Sequence, residues 1–345
     1  MKNNINAEFK PLFNENRISL HNVLPLDTPM AFGVGVSQLC NIRCKYCFHA
    51  LSDAELASNG FRAMNMSMDV FYKMVEDLKA FPNRIKSISM AGQGEPLCNP
   101  NFAEMVKIIK DANLSDDVST ITNGLLLTRD LVEDIVDAGL DRIFISLQGM
   151  NSEKYKQICG RNIDFEQFVE AIKYLYLYSR GKCKVNIKIA DIALENDDKE
   201  LFFERFGNIC DRIHIETIKP LYSGVDYSDM LGSNNTEITT TRFGRIHKKQ
   251  KACYLAFFML CLNPDGKIKT CGTPFPGLWL GDIKERTLVE AWNSLERRNF
   301  LIRMLKGERE GMECCNECDF PNDVPSEKDE IDPYAEELIQ KFTKA

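Results

Sequence analysis

Between residue 32 and about residue 218, short β-branched runs alternate with amphipathic helical stretches. That rhythm predicts repeated βα units around a parallel sheet. Six units are legible, with strands predicted over 32–38, 85–90, 117–122, 142–148, 183–190 and 211–217. Helices fall between them: Ser67 to Phe81 opens on a Ser able to cap it, and Thr128 to Ala138 opens on a Thr and is closed by Gly139. Beyond Lys219 the rhythm stops. Residues 220–250 are polar and turn-rich, residues 251–320 hold six cysteines and a short strand pair around Asp265-Gly266, and a charged helix from Pro333 to Ala345 closes the chain. The pattern divides the chain into an extension (1–30), an α/β core (31–220), a cysteine-rich domain (221–320) and a helical tail (321–345).

Strands buried in an all-parallel sheet usually read as continuous apolar runs. Here Val185, Ile187 and Ile189 alternate with Asn186 and Lys188, and Ile213 and Ile215 with His214 and Glu216. With helices covering the apolar face, the polar set lines the inside of an incomplete barrel, and so many unpaired groups inside imply a polar ligand. The alternative is one edge of an open sheet wetted by solvent.

Composition narrows the partners. The 345 residues carry a net charge of -7 with both signs mixed along the chain, so no basic stripe offers phosphate contacts to nucleic acid. The N-terminal stretch lacks the apolar run of a signal peptide, and no span of about 20 apolar residues is available to cross a bilayer, which predicts a cytoplasmic protein with no membrane partner. Thirteen cysteines, several in tight clusters, point to metal or cluster ligation in a reducing compartment rather than to disulfides.

Cys40, Cys44 and Cys47 directly follow the first strand, on a loop at its C-terminal end, where barrel enzymes keep their chemistry. Three thiolates on a cubane of four irons leave one iron open to a substrate or cofactor. A zinc site is the alternative, with His49 as the nearest fourth ligand. The C-x3-C-x2-C spacing, with aromatic Tyr46 before the last Cys, resembles the signature of the radical S-adenosylmethionine (SAM) superfamily. The resemblance implies a partial (β/α)6 TIM barrel whose 4Fe-4S cluster binds SAM and cleaves it to a 5′-deoxyadenosyl radical, with Tyr46 near the adenine. Met90 to Pro96 resembles the family's GGEP motif, which holds the SAM amino group. Gln93 stands where the first glycine of the usual pair belongs, so Gly94, Glu95 and Pro96 carry that match. Thr122-Asn123-Gly124 resembles the family's TNG turn, and Ser146 with Arg161 resembles the pair that holds the SAM carboxylate. Arg161 is alternatively a surface arginine beside Gly160.

Cys253 and Cys271 flank the turn at Asp265-Gly266 and precede the C-x2-C pair Cys315 and Cys318. Four thiolates fully ligate one cluster. Their layout resembles a SPASM or twitch domain, in the shorter twitch form because no cysteine follows Cys318, and it implies an auxiliary 4Fe-4S cluster. Cys261 is an alternative to Cys253, Cys314 an alternative to Cys315, and a four-cysteine zinc site an alternative to the cluster. Cys98, Cys159, Cys183 and Cys210 read as small core residues.

A fully ligated cluster has no iron free for substrate, so its task is to move an electron, which points to oxidation. The resemblance to twitch-type dehydrogenases implies a secondary alcohol of a sugar or aminocyclitol as substrate and a donor such as flavodoxin or ferredoxin. Candidate substrate and catalytic residues are Asn186, Lys188, His214 and Glu216 on the inner face and Tyr222 after the last strand. They are alternatively a buried network that only supports SAM. A second reading is a peptide or protein maturase, which shares this cofactor set. Only 39 residues precede Cys40, short for a leader-peptide recognition domain. A third is a redox or zinc-binding interaction protein, for which the GEP and TNG turns would be superfluous.

Overall fold

The computed structural model describes residues 5–11, 17–195, 198–231, 240–273 and 277–344. Its strands are β1 (Glu8–Phe9), β2 (Ala31–Val34), β3 (Ser87–Ser89), β4 (Val118–Thr122), β5 (Arg142–Leu147), β6 (Lys184–Ala190), β7 (Arg212–Glu216), β8 (Met259–Leu262), β9 (Lys267–Lys269) and β10 (Trp279–Asp282). They form one sheet in the order β1-β7-β6-β5-β4-β3-β2-β8-β9-β10. Strands β2 to β7 are the six predicted ones, all parallel to their neighbours. Strand β2 stops four residues short of its predicted end because the backbone folds back at once, Val36 N–H donating to Val34 O at 3.1 Å.

The predicted hairpin around Asp265-Gly266 is β8–β9, antiparallel. The sheet does not end with the core, however. Strand β8 pairs in parallel with β2, Ala31 opposite Met259 and Val34 opposite Leu262, and β1 pairs with β7 at the other end. The cysteine-rich region therefore grows out of the core's own sheet.

Helices cover the outside. Met68–Lys79 is capped by Ser67 and Arg129–Asp137 by Thr128, each hydroxyl accepting from the third residue of its helix, as the sequence predicted within two residues. Phe102–Asp111, Phe165–Ser179 and Asp198–Phe206 complete the layer. Phe71, Met74, Met105 and Ile172 of this layer share one core with Val185, Ile187 and Ile189 of β6, all fully buried. Each such side chain contributes roughly 1.5–3 kcal/mol by leaving water.

The inner face is polar. Ser87, Ser89, Ser119, Arg142, Asn186, Lys188, His214 and Glu216 line a cavity of about 720 Å³ together with Arg17, Leu20, Arg242, Phe243 and Phe258. The polar positions thus face an interior and are not the wet side of an open sheet.

A second core joins segments far apart in sequence. Leu20 and Leu24 pack with Tyr254, Phe257, Phe300, Met304, Val324 and Ile331, and with Leu338 and Phe342 of the helix Ala335–Lys344. The charged tail buries those two residues because a spacing of four sets them on one face.

Candidate active site

The turn after β2 presents Cys40, Cys44 and Cys47. Arg43 N–H donates to Cys159 O at 3.2 Å and Lys45 N–H to Ile158 O at 2.9 Å, so the loop consumes carbonyls left orphaned at the end of the helix Ser152–Cys159. Burial pushes the Cys40 thiol up to about 12 and Cys47 up to about 11. Burial and then the neighbouring Cys47, Cys159 and Cys40 push Cys44 up as well. Thiols packed this closely, and this dry, become thiolates when positive iron stands between them, so the donor set fits a cluster.

Of the four scattered cysteines, Cys159 donates to Tyr155 O at 2.9 Å, Cys210 donates to Phe206 O at 3.3 Å, and Cys183 is buried. Cys98 differs from the expectation of a core residue. It is only half-buried and feels Glu95, because the turn that carries Glu95 turns its own third residue outward.

The second βα turn explains its departure from the family pattern. A Cβ on Gly94 would stand 2.8 Å from Gln38 C and 2.9 Å from Ser37 O, both backbone, so this glycine is required. Gln93 points the other way into the interior, where Gln38 Nε2 donates to Gln93 Oε1 at 2.7 Å and Gln93 Nε2 donates to Asn263 Oδ1 at 2.6 Å. His49, the alternative zinc ligand, donates its Nε2 proton to Gln93 O at 2.8 Å. Gln93 thus joins the core to the end of β8.

Glu95 is only 2 % exposed. Its carboxylate accepts from Thr122 Oγ1 at 2.5 Å, Asn123 N–H at 2.8 Å and Leu97 N–H at 3.1 Å, the last of these in a short turn begun by Pro96. Burial still pushes its pKa up, against those three donors. Asn123 Nδ2 in turn donates to Asn41 Oδ1 at 2.7 Å, between the first two cysteines. Cysteine loop, GEP turn and TNG turn are therefore one hydrogen-bonded unit. Neither Glu95 nor Asn123 is identified by spacing as the joint.

Tyr46 donates its phenol proton to Gln148 Oε1, and Tyr46 O accepts from Tyr227 OH at 3.1 Å. Gln148 Nε2 donates to Ser146 O at 3.0 Å, placing half-buried Ser146 beside the phenol. Arg161 is exposed, just past Gly160, which ends its helix in the left-handed conformation at φ 69°.

Inside the cavity, Lys188 and Glu216 are ion-paired across β6 and β7, where Lys188 stands opposite His214 in register. Burial pushes Glu216 up, but Lys188 and Arg242 together reverse this, and its pKa falls below the ordinary range. His214 Nε2 donates to Arg242 O at 3.3 Å, which leaves Nδ1 as an acceptor, and burial holds its pKa below 6.5. Arg242 comes from the polar segment where the sequence showed no readable chemistry. Its backbone N–H donates to Asp323 Oδ1 at 2.8 Å and its Nε pairs with the same carboxylate. Tyr222 borders this group, within the field of Arg242, Glu216 and Cys47, and is wedged edge-on against Phe48 with ring centroids 5.4 Å apart and tilted against Phe320 at 6.3 Å.

The structure also brings Cys253, Cys271, Cys315 and Cys318 together. Burial pushes Cys253 up to about 12, and Cys271 and Cys318 add to it. Cys315 feels Cys253 and Cys271 in the same way. Gly277 approaches Cys271 so closely that a Cβ there would stand 2.6 Å from its Sγ. Cys314 touches Cys315, Sγ to Sγ at 3.7 Å. Cys261 lies in β8 and packs on Gly33, where a Cβ would stand 2.7 Å from its Sγ. Three buried thiols and the half-buried Cys318, in one another's field, are a donor set of the kind a second cluster takes.

Comparisons with known proteins agree with this arrangement. The profile of the radical SAM superfamily matches residues 34–190, and that of an iron-sulfur cluster-binding domain, SPASM, matches residues 253–319. A probable GTP 3′,8-cyclase of Methanococcus vannielii is 28% identical over 226 residues, covering 64% of this chain and 71% of the relative. A GTP 3′,8-cyclase of Lactiplantibacillus plantarum is 32% identical over 171 residues, covering 49% and 48%. The chain thus spans only about half of that second relative. Among solved structures, BtrN in complex with AdoMet and 2-DOIA superposes with a TM-score of 0.56 at 15% identity, covering 87% of this chain and 97% of BtrN. anSMEcpe with bound AdoMet and Cp18Cys peptide gives 0.54 at 16%, covering 92% and 97%. The fold is the partial TIM barrel of radical SAM enzymes with a C-terminal auxiliary-cluster domain. The chain carries a radical SAM domain and a SPASM domain, and the two imply SAM, a SAM-binding 4Fe-4S cluster and auxiliary iron-sulfur chemistry. Among the described residues no helix is long and apolar enough to cross a membrane.

Proposed function

We propose that this enzyme oxidises a secondary alcohol of a small, hydroxyl-rich molecule, a sugar or aminocyclitol, to a ketone. In this reading Cys40, Cys44 and Cys47 hold the SAM-binding cluster, and Cys253, Cys271, Cys315 and Cys318 hold the auxiliary one. Tyr46, Gly94, Pro96, Ser146 and Arg161 contact SAM, on a frame fixed by Glu95, Thr122 and Asn123. Bound there, the cofactors supply a hydrogen-abstracting radical and a sink for one electron.

The observation that carries the reading is the charge pairing inside the cavity. Arg17 meets Asp329 at 2.7 Å, Arg142 meets Asp117, Lys188 meets Glu216 and Arg242 meets Asp323. These pairs take up the three carboxylates of the lining, and Ser87, Ser89, Ser119 and Asn186 beside them suit neutral hydroxyls, which both donate and accept, although Lys86 and Lys184 line the same cavity with no carboxylate partner among the described residues.

Oxidising the carbinol removes a hydrogen atom, a proton and an electron. His214 takes the proton, because burial keeps it neutral and its Nδ1 is free to accept. Lys188, Glu216 and Asn186 orient hydroxyls, and Tyr222 stands between the cysteine loop and the auxiliary region. A flavodoxin or ferredoxin in a reducing cytoplasm delivers the first electron.

The test is anaerobic turnover with SAM and reductant against a panel of polyols, aminocyclitols, GTP and peptides. A polyol should yield ketone and 5′-deoxyadenosine, with turnover declining as pH falls through the lowered pKa of His214. Ketone formation absent across the panel, with 5′-deoxyadenosine raised by peptide alone, would establish the second reading, peptide maturation. That reading draws on the near-complete overlap with peptide-bound anSMEcpe.

A further inference from the structure

The short helical turn Glu308–Gly311 carries Arg309, which is only 6 % exposed in the second core region. Its guanidinium makes four hydrogen bonds of a single kind. Nη1 donates to Cys318 O at 2.7 Å and to Cys315 O at 3.2 Å. Nη2 donates to Gln250 O at 3.3 Å, and Nε to Lys251 O at 3.3 Å. Gln250 and Lys251 lie just before Cys253, so one planar fork joins the Cys253 segment to the Cys315–Cys318 segment.

Two consequences follow from elementary chemistry. A guanidinium cannot lose its proton, and its five donors sit in a rigid plane, so the carbonyls it holds have little freedom to move apart. Moreover, every partner here is a neutral carbonyl. Among the described residues no carboxylate lies within salt-bridge distance of Arg309. A buried cation is costly unless an opposite charge lies near. A cubane on four thiolates carries net negative charge and gains more on reduction.

We propose that Arg309 is a positioning residue for the auxiliary cluster: its fork clamps the backbone of the ligand segments, and its fixed charge makes the cluster easier to reduce. The inference rests on the reading of Cys253, Cys271, Cys315 and Cys318 as the ligand set, and it deepens that reading by saying why this cluster accepts an electron. Charge near a cluster, hydrogen bonding and burial are the means by which a protein sets its potential. Arg309 supplies the first two at one place.

The test uses full-length protein in which Cys40, Cys44 and Cys47 are changed to Ala, so that spectroscopy sees the C-terminal cluster alone. Iron content, electron paramagnetic resonance and a potentiometric titration are compared for this parent and for versions also carrying Arg309→Lys or Arg309→Gln. The parent should hold about four irons per chain. Arg309→Lys keeps the charge and loses the fork. It should keep the reduced-to-oxidised ratio within about threefold at a set potential while losing iron to a chelator several times faster. Arg309→Gln should lower that ratio about tenfold, equivalent to about 59 mV for a one-electron couple. Wild-type chelator resistance in Arg309→Lys overturns the clamp even if the Gln variant fails to fold. An unmoved ratio in Arg309→Gln, or an equal fall in both variants, overturns the electrostatic role. A parent without iron overturns the ligand reading itself, and this proposal with it.

Discussion

The two cysteine sets are built on opposite plans. The first is local: three thiols lie on one loop between Cys40 and Cys47, steadied from behind by the end of a helix and from the side by Asn123. The second gathers four thiols from segments between Cys253 and Cys318, and a buried arginine ties the first of those segments to the last. A compact loop would leave one side of a cluster open for a cofactor, whereas ligands gathered from distant segments would surround theirs. The first plan suits a reactive site and the second an electron store, and the difference lies in how far apart in sequence the ligands are.

The sharpest way to break this contrast is to empty one set at a time. Changing Cys40, Cys44 and Cys47 to Ala should abolish SAM cleavage while leaving about four irons per chain. Changing Cys253 and Cys271 to Ala should leave SAM cleavage measurable while ketone formation drops at least about tenfold, a loss of roughly 1.4 kcal/mol or more in transition-state terms. Equal loss of SAM cleavage in both variants would mean that the sets do not divide the work. Next in size is Glu95→Gln. One of its oxygens becomes a donor that faces Thr122 Oγ1 or Asn123 N–H, and SAM binding measured by calorimetry should weaken by about 10- to 100-fold, from the loss of roughly 1–3 kcal/mol of hydrogen bonding. Unchanged affinity would remove Glu95 from the SAM frame.

Smaller still is Gln93→Gly, which restores the usual glycine pair but strands the buried amides of Gln38 and Asn263. Thermal melting should show a loss of about 1–3 kcal/mol. A neutral or stabilised variant would show that the link from the core to β8 carries no load. The smallest effect concerns pH. Burial, reinforced by Lys188 and opposed by Glu216 and the Arg242 carbonyl, holds folded His214 below 6.5. As pH falls the unfolded chain therefore takes up the proton first. This contribution to stability is fully present above about pH 6.5 and is lost as pH falls through the lowered folded value. His214→Gln should flatten that part of the acid limb in denaturant titrations, and an identical slope in both proteins would count against a buried, neutral imidazole.

What the sequence made legible follows from physics that acts locally. Alternation along β6 and β7 marked the inner face because side chains in a strand take opposite sides at every step, whatever the rest of the chain does. The cysteines announced themselves by spacing. Strand β1 did not, since two residues carry no period. Arg242 and Arg309 were illegible for a related reason. Each lies in a polar, irregular stretch that reads as surface, and each acquires its role only when tertiary contacts bring Glu216, Asp323 or the cysteine carbonyls to it. Gln93 looked like a flaw in a motif until Asn263, far along the chain, supplied its partner.

The parallel pairing of β8 with β2 has a consequence for motion as well as for shape. The strand that ends in the first cysteine loop is hydrogen-bonded directly to a strand of the auxiliary region. A ladder of that kind does not stretch, so the two regions share one rigid seam while segments around the cavity can shift to admit a molecule. With both regions tied to one sheet, the proposed electron sink would keep one reach to a substrate held in the cavity.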